Sequence, residues 1–259
     1  MRLIAAYDLC HVQRHVSQVG KHPRLAKAIR KAASAGTIDQ DLKTARSSLE
    51  QIALIQDYSG GRIGSLPGGL DESLLTGALF DRAIVLYARA TSTKGDRFPL
   101  LGEAKLNQAS KATHDEAMAY RNRVIAHFGR GENLEDGVMA NEAVIWRVFD
   151  DGGKQPREVV ALSIRAQNKA AFAGRLAALV EVRIDEIAQR MQALFEEVDE
   201  QFLASLLNDP ELKQFLPSFE FDEEQFCPSP ETAEELRAYT SKGEFPDVTF
   251  ATPSPKREE

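Results

Sequence analysis

The sequence predicts an all-α bundle with a β-hairpin insertion and an acidic C-terminal tail. Three observations carry this. Apolar residues recur at helical spacing along most of the 259 residues. One stretch, "NEAVIWRVFDDGGKQPREVVALSI", has β-branched runs on both sides of an Asp-Gly-Gly turn. From Asn208 onward prolines and acids accumulate, as in "FEFDEEQFCPSPETAEELRAY" and "TPSPKREE". Such composition describes a poorly packed tail with room for one short helix.

Taken in order, residues about 2–19 and 24–34 read as helices, broken at "GKHP" because Pro23 disfavours helix in the residue before it. A helix over about 39–57 opens on Asp39 as N-cap. "YSGGRIGSLPGGL" holds five glycines and a proline and reads as a loop. No Gly-Lys-Ser/Thr follows, so it is not a phosphate-cradling P-loop. Asp71 caps "ESLLTGALFDRAIVLYARA", an amphipathic helix to about Ala90. Residues 91–110 look irregular. A helix over about 112–128 is stopped by Gly129. The hairpin spans about 141–165. A long helix over about 168–207 carries Val180, Ile184, Ile187, Met191, Leu194 and Val198, a heptad-like seam suited to a core or to a partner helix. This organisation predicts one helical domain, 1–208, and a tail, 209–259.

Apolar content of 43% suffices for a core, and 27% charged residues is ordinary for a soluble protein. Cys10 and Cys227 form neither a metal spacing nor a disulfide scaffold, so a reducing cytoplasm is expected. No run approaches the roughly 20 apolar residues that span a bilayer, and no membrane is expected as partner. The net charge of −7 divides unevenly: residues 1–130 carry +7 and residues 131–259 carry −14. The basic half suits an anionic partner; the acidic half aids solubility or competes for the same surface.

One helix raises a chemical question. In "AYRNRVIAHFGRG", a wheel at about 100° per residue places Ala117, Met118, Val124, Ile125 and Phe128 within about 60° of Arg121. Arg121 is therefore expected in a buried arc. There it needs an internal partner, such as Asp81 or Glu72, or an external anion such as phosphate. His127 lies at the edge of the arc. A histidine in a last turn can cap free carbonyls, or it can transfer protons near neutral pH. Glu116, Tyr120, Arg123 and His127 share a second stripe, expected to be a solvated face, and Arg123 is the closer neighbour of His127.

These residues carry a resemblance. "RNRVIAH" resembles the R-x4-6-H signature of HEPN domains, with Asn122 as the polar residue after the arginine. "ALFDRAIVLYARA" followed about thirty residues later by "YRNRVIAHFG" is similar to the abortive-infection branch of that superfamily, in which a helix with an Asp and an Arg eight apart precedes the motif helix. Asp81 and Arg89 match that pair. Arg123 stands where that branch commonly has lysine. The resemblance covers residues about 71–130.

The resemblance implies a HEPN-like bundle that dimerises across the motif helix. It also implies a metal-independent endoribonuclease of phage defence or a toxin–antitoxin system, with RNA as substrate and an antitoxin or defence protein as further partner. Other members of the superfamily are catalytically silent and bind a nucleotide or a partner protein. In the active reading His127 transfers protons, Arg121 stabilises the phosphate, Asn122 orients one of them, and Arg123, Arg89 and Asp81 contact substrate. RNA supplies its own 2′-OH nucleophile, so neither cofactor nor metal is expected.

Two other features call for plainer readings. His11 and His15 stand at i and i+4, with Cys10 and His22 nearby, but Cys10 points about 100° from His11. A solvated face is expected there rather than zinc. Trp146 on the hairpin is expected to pack. Without the resemblance, Asp81 and Arg89 would pair with each other or with Arg121.

Overall fold

A computed structural model describes residues 5–59, 65–66, 70–91, 97–122, 133–134, 137–138, 140–149, 157–165 and 170–240. Its helices are α1 (Leu9–Gln18), α2 (Pro23–Ser59), α3 (Glu72–Thr91), α4 (Gln108–Tyr120), α5 (Ala170–Asn208), α6 (Pro210–Phe215), α7 (Glu223–Phe226) and α8 (Pro230–Thr240). Two-residue strands pair as β1 (Ser65–Leu66) with β2 (Leu70–Asp71), and as β3 (Asn133–Leu134) with β4 (Gly137–Val138). The hairpin is β5 (Ala140–Val148) against β6 (Arg157–Arg165), antiparallel, with Trp146 opposite Val159. The predicted class, all-α with a hairpin insertion, is the observed one. No helix among the described residues is long and apolar enough to cross a membrane.

The chain forms two compact units, residues 31–195 and residues 1–30 with 196–259. In the larger unit, α2, α3, α4 and α5 bury one core. Phe80 meets Tyr120 and Phe172 edge-on, with ring centroids 5.3 and 5.6 Å away. Such contacts add about 0.5–1.5 kcal/mol each beyond burial. The two helices expected at 24–34 and 39–57 are one helix. Asp39 does not cap it. Its carboxylate pairs with Lys43 at 2.9 Å, one turn on, while Ala35, Ile38, Leu42 and Ala45 bury a continuous stripe. Packing of that stripe outweighs the glycine and the β-branched residue at Gly36 and Thr37. The seam on α5 is core: Val180, Ile184 and Ile187 are buried and Met191 and Leu194 pack against them. That use leaves it unavailable as a partner-helix seam.

In the smaller unit the expected tail is folded through residue 240. Asp209 caps α6 and Asp222 caps α7, each accepting two backbone N–H groups. Leu212, Phe219, Cys227, Ala233 and Leu236 are buried. The N-terminus joins this unit: Asp8 N donates to Phe219 O and Phe221 N to Ala6 O, at 2.8 and 3.0 Å. The boundary expected at 208 therefore falls inside a packed unit. Short apolar residues spaced among acids built a small core that composition alone masked.

The hairpin departs from expectation in one respect. Trp146 is 62% exposed, with Arg157 over its ring at 5.6 Å. Val144 and Val159 on the same face are also exposed.

Candidate functional site

Helix α4 is built to present its C-terminal end. Asn107 caps it by accepting from Ser110 N at 2.8 Å, and Thr113, His114, Ala117 and Tyr120 form its buried arc. Tyr120 is the last buried member of that arc among the described residues, and Val124, Ile125 and Phe128 lie outside them. Arg121 is exposed, against the wheel's expectation, and so is Asn122. Backbone N–H of Arg121 reaches the carbonyls of Ala117 and Met118, and the helix widens to a π turn at 121–122. The Arg121 guanidinium donates from Nη1 to Asn122 Oδ1 at 2.8 Å. Among the described residues no carboxylate pairs with it, so neither Asp81 nor Glu72 is its partner. Arg123 and His127 lie outside the described residues.

Of the stripe expected to be solvated, the two described residues, Glu116 and Tyr120, are internal. Tyr120 is 2% exposed. The Glu116 side chain is buried and accepts from Arg175 Nη2 at 2.8 Å. Sequence spacing placed both on one face correctly, but that face packs on α3 and α5 rather than facing water.

On α3, Asp81 and Arg89 part company. Asp81 accepts a hydrogen bond from the Tyr120 hydroxyl at 3.4 Å. Desolvation pushes its carboxyl above the usual range, partly opposed by that bond. Burial likewise pushes the Tyr120 phenol up, with the Asp81 charge adding to it. Arg89 instead grips Asp41 on α2 through Nε, at 2.7 Å, and Nη2. Arg97 Nη1 adds a second guanidinium to the same carboxylate at 2.6 Å. Asp41 is 4% exposed, so its charge is held by two arginines in a largely dry setting. Bonding to Asp41 keeps the Arg89 guanidinium above its already high range.

A second polar group lies further back on α4. His114 is buried, and its Nδ1 faces the Tyr87 hydroxyl at 2.8 Å. Its Nε2 stands 3.6 Å from Glu103 Oε1 in the 3-10 turn Glu103–Lys105. Burial lowers the His114 pKa, favouring the neutral ring, and pushes Tyr87 up to about 12. The fully buried Arg183 donates from Nη1 to Gly102 O at 3.0 Å and to Glu186 Oε2 at 2.7 Å. Its Nε and Nη2 have no hydrogen-bond partner among the described residues. Sequence reasoning missed Asp41, Tyr87, His114 and Arg183. Their one signal was polarity inside an apolar period, the pattern that drew attention to Arg121 instead.

Among the described residues the N-terminal histidines do not gather into a metal-ligating group. His11 Nδ1 lies 3.6 Å from Asp8, His15 packs on the rings of Phe215 and Phe219, and His22 Nε2 meets Asp209 at 2.9 Å. No family model, no curated protein and no solved structure matches the chain.

Proposed function

We propose that the chain is a metal-independent endoribonuclease of HEPN type, acting in phage defence or as a toxin. The observation that carries the reading is the end of α4. An always-charged guanidinium is exposed, bound to a neighbouring amide and to no carboxylate among the described residues, one residue after a side chain locked into the core. A phosphate finds there a planar donor on a rigid support. In this reading Arg121 stabilises the charge that builds on the scissile phosphate, and Asn122 orients that guanidinium. His127, six residues on, takes the 2′-OH proton or gives one to the leaving 5′-oxygen. The products are a 2′,3′-cyclic phosphate and a free 5′-OH. A second copy of the motif helix completes the cleft in a dimer.

One observation favours a catalytically silent module instead. Arg89, assigned to substrate by the resemblance, is engaged by Asp41 and thereby ties α3 to α2. Asp81 is likewise engaged by Tyr120. The test is incubation of the purified chain and its His127→Ala variant with end-labelled single-stranded RNA. Cleavage by the first and not the second supports the nuclease. Binding without cleavage by both supports the silent module.

A further inference from the structure

We propose that the side of the hairpin carrying Val144, Trp146 and Val159 docks against the same side of a second copy of this chain. The inference does not rest on the ribonuclease reading.

Alternate residues of a strand point to opposite faces, and the register sorts this hairpin into two unlike sides. On one, Arg147 Nε stands 3.7 Å from Glu158 Oε2, directly across the strands. That ion pair suits water. On the other, Val144 lies opposite Ala161, Trp146 opposite Val159, and Val148 opposite Arg157. Val144 is 76% exposed and Val159 67%, and Trp146, Val148 and Ala161 are exposed with them. Over these three pairs the only charged side chain is Arg157, whose guanidinium lies over the Trp146 ring at 5.6 Å.

A two-stranded hairpin is at best marginally stable in water and needs a further layer over an apolar face. These exposures are those of a face that the rest of the chain leaves bare. Its side chains present roughly 450 Å² of apolar surface, within the range of the largest patch on an ordinary monomer. Two such faces in contact remove roughly 900 Å² from water, the small end of specific interfaces, so the dimer is expected to be weak, on the order of micromolar.

The face fits itself. A two-fold axis running across the strands, between the Val144–Ala161 and Trp146–Val159 pairs, stacks the two sheets about 10 Å apart with their strands antiparallel. Apolar side chains then meet apolar side chains. Arg157 stands at one end of the face, so the two guanidiniums fall at opposite ends of the interface and no like charges oppose. A polyanion fits less well. Arg147 belongs to the other side and is engaged by Glu158, which leaves this stretch a single cation already lying on a ring.

Trp146 is the only tryptophan of the chain, so its fluorescence reports this face alone. Sedimentation of the full chain between about 1 and about 200 µM should show a monomer–dimer equilibrium. Over the same range Trp146 emission should move to shorter wavelength and become less accessible to acrylamide. Val144→Glu and Val159→Glu each put a charge on the face at an exposed position. Each should weaken dimerisation about tenfold or more and leave the thermal melt unchanged. A chain that stays monomeric throughout overturns the proposal. So does a dimer of unchanged affinity in both variants, which would run through another surface. Trp146 emission that is shielded at every concentration overturns it too, because the chain would then cover the face itself. Shielding by added RNA and not by a second copy assigns the face to a nucleic acid instead.

Discussion

The Tyr120 hydroxyl donates to Asp81 across the α3–α4 interface at 3.4 Å, and Arg121 is the next residue in the chain. The phenol ring is wedged edge-on against Phe80 and lies 6.4 Å from Phe172. The last turn of α4 is thus fixed in rotation by one aromatic cluster and one hydrogen bond. Arg121 inherits that fixed base.

Tyr120→Phe keeps the ring and deletes the bond. It should lower stability by about 1 kcal/mol, read from chemical denaturation. The same variant should reduce RNA binding or cleavage further than its stability loss explains, because the base under Arg121 gains rotational freedom. Equal activity at full occupancy of the folded state would show that the bond only holds the fold.

Arg121→Ala and His127→Ala should each abolish RNA cleavage. Because Arg121 is exposed, its replacement should change stability by no more than about 0.5 kcal/mol. A thermal melt beside the cleavage assay separates loss of chemistry from loss of fold. Arg123→Ala is the comparison: if it is the damaging arginine, the assignment of Arg121 is wrong.

Cleavage should persist in EDTA and leave 2′,3′-cyclic phosphate ends, since the nucleophile is the RNA's own 2′-OH. Activity lost in EDTA and restored by a divalent ion would place the ion in the chemistry and sink the mechanism.

Helical period and turn chemistry made the architecture legible: the hairpin at 141–165 and the long helix from about 168 fall where the pattern put them. Of the arc expected on α4, Ala117 is buried and Met118 half-buried, while Arg121 is exposed and Val124, Ile125 and Phe128 lie outside the described residues. Periodicity says which face a residue shares and nothing about where the covering elements stop, so Arg121 read as buried. The partners of Asp81 and Arg89 were equally out of reach, because Asp41 lies 48 residues before Arg89 and Tyr120 lies 39 after Asp81. Composition misled at the C-terminus. Of the charge of −12 on residues 196–259, only −1 belongs to residues 241–259. The acids stand mainly on α5 to α8 and the turns between them, so a free polyanionic tail competing with RNA loses its basis.

Those acids bear on stability, and Asp209 most directly. Its Oδ2 meets His22 Nε2 at 2.9 Å, and its Oδ1 accepts from Glu211 N and Leu212 N as the N-cap of α6. The His22 bond, then the backbone bond from Leu212, holds its carboxyl at about 2, below the ordinary 3.8. A carboxylate depressed in the folded state adds stability above its unfolded pKa and loses it as pH falls through the folded value. The Asp209 contribution should therefore be complete above about pH 4 and should vanish by about pH 2. Asp209→Asn isolates it, because asparagine still caps a helix but carries no charge. Wild type should be the more stable at pH 6 in urea unfolding followed by circular dichroism, and the gap should close between pH 4 and pH 2. Trp146 fluorescence cannot replace that signal, since the only tryptophan sits in the other unit. A gap that stays constant across this range would mean that the cap geometry, and not the charge facing His22, supplies the stability.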